Sequence, residues 1–89
     1  MANNSKVSVT DATGASALIA ADTRDEILLR NAGTNTVYLA LNETASDSTG
    51  GFYLESGDGL VLTGRAARSA IHMVCASGET ATVHYQIVG

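Results

Sequence analysis

The chain contains no proline and no tryptophan, a single cysteine (Cys75), and only four aromatic residues, Tyr38, Phe52, Tyr53 and Tyr85. One cysteine excludes an internal disulfide and cannot anchor a metal cluster. With so few aromatics, the core must be assembled from Val, Leu, Ile, Ala and Met, and in 89 residues such a core is thin. Scaffolds of this size usually draw extra stability from disulfides, metals or association. Association, with copies of itself or with a larger partner, is the route left. Positive charge is also scarce, with five basic residues against nine acidic ones and a net charge of −4. Of Lys6, Arg24, Arg30, Arg65 and Arg68, only the last two are close in sequence, whereas phosphate recognition needs clustered Lys and Arg. Nucleic acid is therefore not an expected partner. No apolar run approaches the roughly 20 residues of a membrane span, so no membrane partner is expected either. The opening MANNSKVSV has no apolar core of a secretory signal, and synthesis and folding in a reducing cytoplasm are expected.

What is present is strand alternation broken by turn residues. In Glu26 to Asn42, EILLRNAGTNTVYLALN, the odd positions Ile27, Leu29, Val37, Leu39 and Leu41 share one face, and Gly33-Thr34-Asn35 lies between the two runs. This predicts a β-hairpin with Leu29 opposite Leu39, in which Gly33 or Asn35 takes a positive φ. GFYLESGDGLVLTG predicts strand, turn at 56–59 and strand. AIHMVCASGETATVHYQIVG predicts a closing hairpin around Ser77-Gly78-Glu79, with Met73 opposite Val83. Its inner face would hold Ile71, Met73, Cys75, Val83, Tyr85 and Ile87, and its outer face His72, Val74, Thr82, His84 and Gln86. Residues 43–51 and 64–69 read as loops, the first being the longest polar stretch. Residues 1–21, rich in Ala, Ser, Thr, Asn and Gly, read as a partly extended arm, and residues 22–89 as the folded domain. Within the arm, Asp11 to Gly14 is a turn and the following ASALIAAD an edge strand. Seven or eight short strands without a long helix predict an all-β fold, a small antiparallel β-sandwich or jelly-roll-like barrel.

The candidate chemistry is sparse. Cys75 and His72 differ by an odd number on one strand and point to opposite faces, so Cys75 is expected to be a buried, inert thiol. His72 and His84 would be cross-strand neighbours in the predicted register. They lack a third zinc ligand, and as a confined pair would destabilise an assembly below about pH 6. The acidic residues fall at strand ends and in loops without calcium-loop spacing. SGDG has neither the helix nor the lysine of a phosphate loop. No catalytic residue, cofactor or metal is expected, and the chain is not expected to be an enzyme. The second apolar face of the predicted hairpin, with Leu28, Tyr38 and Ala40 beside Arg30, is the candidate oligomer interface, because an uncovered apolar patch on a small sandwich marks a contact surface.

Read whole, ILLRNAGTNTVYLAL, the G-x-x-L steps in GFYL and GDGLVL, and the closing AIHMVCASGETATVHYQIV resemble small structural proteins of tailed bacteriophages over residues 24–89. The resemblance carries no catalytic motif. It implies a capsid decoration (cement) protein on the outer capsid surface of the virion, made in the host cytoplasm, often trimeric, whose partner is the major capsid protein. Such proteins bridge capsomers through many small contacts. On this reading Val7 and Val9 of the arm, with Arg65 and Arg68, are candidate capsid contacts, and loops 43–51 and 64–69 are available to the shell. The competing expectation is a carbohydrate-binding or tail-fibre receptor-binding module, which would stack sugar on an exposed aromatic ring.

Overall fold

A computed structural model describes residues 4–47 and 52–89. Residues 48–51, the tip of the predicted polar loop, and the first residues of the predicted arm lie outside the described residues. The described chain forms seven strands: β1 (Asn4–Val9), β2 (Glu26–Asn31), β3 (Val37–Leu41), β4 (Tyr53–Leu54), β5 (Gly59–Thr63), β6 (Ile71–Val74) and β7 (Ala81–Val88). One helical turn, α1 (Gly64–Ala67), links β5 to β6. Two antiparallel sheets result, ordered β1-β7-β2-β5 and β4-β3-β6, packed as a small all-β sandwich.

The pairing follows one rule. β1 lies along β7, Ile19 bridges to Ile71 of β6, β2 lies along β5, and β3 along β4. The first segment thus meets the last, the second meets the last but one, and so inward to β3 and β4. The chain is one long antiparallel ribbon, rolled so that successive rungs fall in alternate sheets, which is the winding of a jelly roll with its second strand reduced to the Ile19 bridge.

This winding corrects all three predicted hairpins. Leu29 lies opposite Leu60 and Tyr85, and Leu39 opposite Met73, so β2 and β3 belong to different sheets. Val83 lies opposite Val7 and Asn31 rather than Met73. β4 and β5 are likewise split between the sheets, the 55–58 turn crossing the sandwich edge. The faces were nevertheless right: Ile27, Leu29, Val37, Leu39, Ile71, Met73, Cys75 and Val83 are all buried. Alternation states which side of a strand is inside, and inward sets are satisfied equally by lying side by side or by facing each other across the core. Gly33 also serves differently from expectation. It has no positive φ, but a Cβ there would sit 2.9 Å from the Ala81 side chain, so the crossing needs glycine for close approach to β7.

The predicted arm is largely part of the sandwich. Asn4–Val9 pairs with β7 along its length and Val9 is fully buried, because its side chain fills the same layer as Ala81 and Val83. Asp11 and Ala12 form the expected turn, whereas of the predicted edge strand over ASALIAAD only the bridge at Ile19 forms.

Candidate functional site

No single patch contains the four predicted interface residues. Leu28 and Arg30 alternate with buried Ile27, Leu29 and Asn31, so they stand on the outer face of the four-stranded sheet. Tyr38 and Ala40 alternate with buried Val37 and Leu39 on the outer face of the three-stranded sheet. The crossing between β2 and β3 places the two pairs on opposite sides of the molecule. Val9, at 0% exposure, is inside the core and is corrected as a contact by the pairing of β1, whereas Val7 is partly buried and packs against that core. Arg65 and Arg68 are exposed on and just after α1. The two histidines are far from being neighbours: His72 lies opposite Ala40, and His84 opposite Lys6 and Arg30, in different sheets.

The outer face of the three-stranded sheet is partly covered by the chain itself. The Gly14 carbonyl accepts hydrogen bonds from His72 Nδ1 (3.1 Å) and from the Ala45 amide (3.1 Å), and the Thr13 hydroxyl donates to the Met73 carbonyl (2.8 Å). These contacts seat residues 10–15 and Ala45 beside β6 and leave Val74 only 7% exposed. The other end of this face stays open. Tyr53 lies opposite Tyr38 with ring centroids 6.2 Å apart and planes tilted by 47°, a geometry within the favourable range for aromatic pairs. Tyr53 and the preceding Phe52 are 55% and 72% exposed.

The four-stranded sheet carries a feature that sequence reading missed. Its register aligns Lys6, His84, Arg30 and Gly59 directly across β1, β7, β2 and β5. All are exposed and lie on the outer face. The adjacent row holds Gln86, Leu28 and Val61, the last 56% exposed. A shallow depression over these rows is lined by Leu28, Arg30, His84 and Gln86 with Ser5 and Tyr85. No hydrogen bond or ion pair within the described residues engages the Lys6, Arg30 or His84 side chains.

Two buried polar residues also went unrecognised. Arg24, at 2% exposure, donates from Nη1 to the Ala20 carbonyl (3.2 Å), from Nη2 to the Ser69 carbonyl (3.0 Å), and from Nε to the Ala67 carbonyl. It ties α1 to the segment entering β2. Asn31, fully buried, donates from Nδ2 to the Asn35 (2.8 Å) and Leu54 (2.9 Å) carbonyls, and its Oδ1 accepts from the Gly33 amide (2.9 Å). Its backbone bonds to Gly57 and Asp58, so this one residue joins both sheets at the crossing. An arginine just before a strand and an asparagine at the end of one give no signal of burial until the carbonyls they satisfy are in place.

The remaining reactive group is Cys75. Its thiol is buried and faces the Val9 carbonyl (Sγ to O, 3.7 Å). Burial, and secondarily the carboxylates of Glu79 and Asp11, push its pKa up. That is the opposite of what an activated nucleophile requires. Among the described residues no group of three or more His, Cys, Asp or Glu side chains is placed to hold a metal ion. No helix among the described residues is long and apolar enough to cross a membrane. No protein-family model matches the chain, and no curated protein matches it.

Proposed function

We propose that this chain is a non-enzymatic structural protein of a tailed-bacteriophage virion, one that decorates the outer capsid surface and stabilises the shell by bridging subunits of the major capsid protein. The observation that carries this reading is the pair of outer faces, each offering an exposed large hydrophobic side chain, Val61 beside half-buried Leu28 on one and Tyr53 beside half-buried Tyr38 on the other. A sandwich with two such faces is suited to bridging, since each can hold a different neighbour. The similarity of residues 24–89 to small phage structural proteins supplies the identity of those neighbours, and the rolled-ribbon winding is one that viral capsid domains use.

On this proposal the chain works as a homotrimer, with the Tyr38, Tyr53 and Phe52 end of the three-stranded sheet in the subunit contact. Native mass spectrometry should give a species at three times the 9.1 kDa chain mass, and Tyr53→Asp should dissociate it. A monomer at all concentrations tested sinks the trimer. The function itself is tested by adding the purified chain to undecorated capsids of the phage that encodes it: the chain should co-sediment with the shells and raise their disruption temperature.

A second reading has its own observation. The exposed Tyr53 ring, with Tyr38 alongside, offers an aromatic surface on which a sugar ring could stack. This is the carbohydrate-binding or receptor-binding module. Retention on immobilised polysaccharide, lost in Tyr53→Ala, together with no binding to capsids, would establish it over the first.

A further inference from the structure

From the alignment of Lys6, His84 and Arg30 across three adjacent strands, we infer that the outer face of the four-stranded sheet is a docking surface for an acidic protein segment, one carrying carboxylates next to an apolar side chain. Strands in a sheet lie about 4.8 Å apart, so the heads of this row fall within roughly 10 Å of one another. Like charges close together on one face weaken a sheet, and Lys6 and Arg30 lie two strands apart with only His84 between them. The cost here is not offset inside the described chain. The only carboxylate on the same face of these strands is Glu26, four residues along β2 from Arg30, about 13 Å away at the usual rise per residue. Asp58, beside the row's end at Gly59, is occupied by the Glu55 amide (3.0 Å). Of the nine acidic residues in the chain, these four strands place only Glu26 on this face, away from the basic row.

The rows next to the basic one decide what kind of anion fits. Leu28 and Val61 lie immediately beside Arg30 and Gly59, and Gly59 adds no side chain that would shield the Arg30 head. Apolar contact beside a short basic row suits a polypeptide, which can place an aliphatic side chain between carboxylates. A nucleic acid would meet the net charge of −4 without a basic track to follow. The inference rests on the proposed virion role only for the partner's identity. There it assigns the four-stranded sheet to the shell and leaves the aromatic end of the other sheet to the subunit contact.

The test uses the full chain, isotopically labelled, titrated with a capped synthetic peptide bearing three glutamates around a leucine. Amide shifts should concentrate at Lys6, Leu28, Arg30 and His84, and should vanish with the glutamine version of the peptide. Affinity should fall about tenfold or more in Lys6→Glu/Arg30→Glu, and should fall as salt rises. Arg65→Glu/Arg68→Glu should bind as the wild type does. Both double variants alter exposed side chains, and an unchanged denaturation midpoint shows that each is folded. Absence of shifts at millimolar peptide, shifts located elsewhere, or equal loss in the two double variants would overturn the inference. So would tighter binding of single-stranded DNA or a heparin fragment than of the peptide. Capsid co-sedimentation is a separate readout, so peptide binding without capsid binding removes the virion role and keeps the docking face.

Discussion

At the scale of single residues, the polar groups inside the sandwich matter more than their number suggests. Asn31→Ala leaves the Leu54 and Asn35 carbonyls and the Gly33 amide without their partner, and a buried polar group left unpaired costs about 1–3 kcal/mol. Urea unfolding should therefore show a loss of at least about 2 kcal/mol for Asn31→Ala, against well under that for Asn35→Ala, whose hydrogen bond to Thr80 is exposed. Gly14→Ala puts a Cβ 2.4 Å from the Ala45 carbonyl, and a backbone atom cannot step aside as a side chain can. Its cost should be about 1–3 kcal/mol, as for overpacking elsewhere. Cys75 gives a pH signature. Its folded pKa is raised, so its contribution is fully present below the unfolded value of about 8.5 and is lost as pH climbs through the folded value. The stability of the wild type should begin to decline above the unfolded value of about 8.5 relative to Cys75→Val, and a thiol reagent should label Cys75 only at the rate of unfolding.

At the scale of elements, β1 is the decisive case. An edge strand that pairs with β7 and buries Val9 cannot be a dispensable arm. Removing residues 1–9 should uncover Ala81 and Val83, and the truncated chain should lose its cooperative unfolding transition in calorimetry. Survival of that transition would mean that β1 docks without supporting the core. α1 teaches a smaller lesson. Read as a solvated loop, it is one helical turn whose Ala67 is fully buried and whose Ala67 carbonyl takes the Arg24 Nε hydrogen bond. Its two exposed arginines, Arg65 and Arg68, stand on a segment held from beneath by a third.

At the scale of the whole molecule, the rolled ribbon makes a slab of 35 × 23 × 18 Å. Its two sheets leave two broad outer faces of different character. One is basic and aliphatic, the other aromatic at one end and covered by the chain's own turns at the other. Residues far apart in sequence, such as 6, 30 and 84, become neighbours only because β7 lies between β1 and β2. On the proposed capsid role, addition of the chain to undecorated shells should raise their disruption temperature, and Lys6→Glu/Arg30→Glu should abolish that rise while leaving the chain's own melting midpoint unchanged.

The residues by themselves determined strands β2 to β7 and the inward faces of β2, β3, β6 and β7, because period-two alternation of Ile, Leu and Val with polar side chains is a local property, whereas β1 was read as part of an arm. Ile27, Leu29, Val37, Leu39, Ile71 and Met73 were legible as core for that reason, and Cys75 as a buried thiol. Which strand lies beside which was decided only by tertiary structure. Short turns after β2, β4 and β6 read as hairpins, yet each crosses between sheets, and alternation is blind to that choice. The candidate surfaces inherited the same blindness. Leu28 with Tyr38, and His72 with His84, were paired by assumed hairpins, whereas the row of Lys6, His84 and Arg30 exists only in the register that long-range pairing imposes. Side-chain chemistry is written locally, but the neighbours that give it a use are set by backbone hydrogen bonds between distant segments.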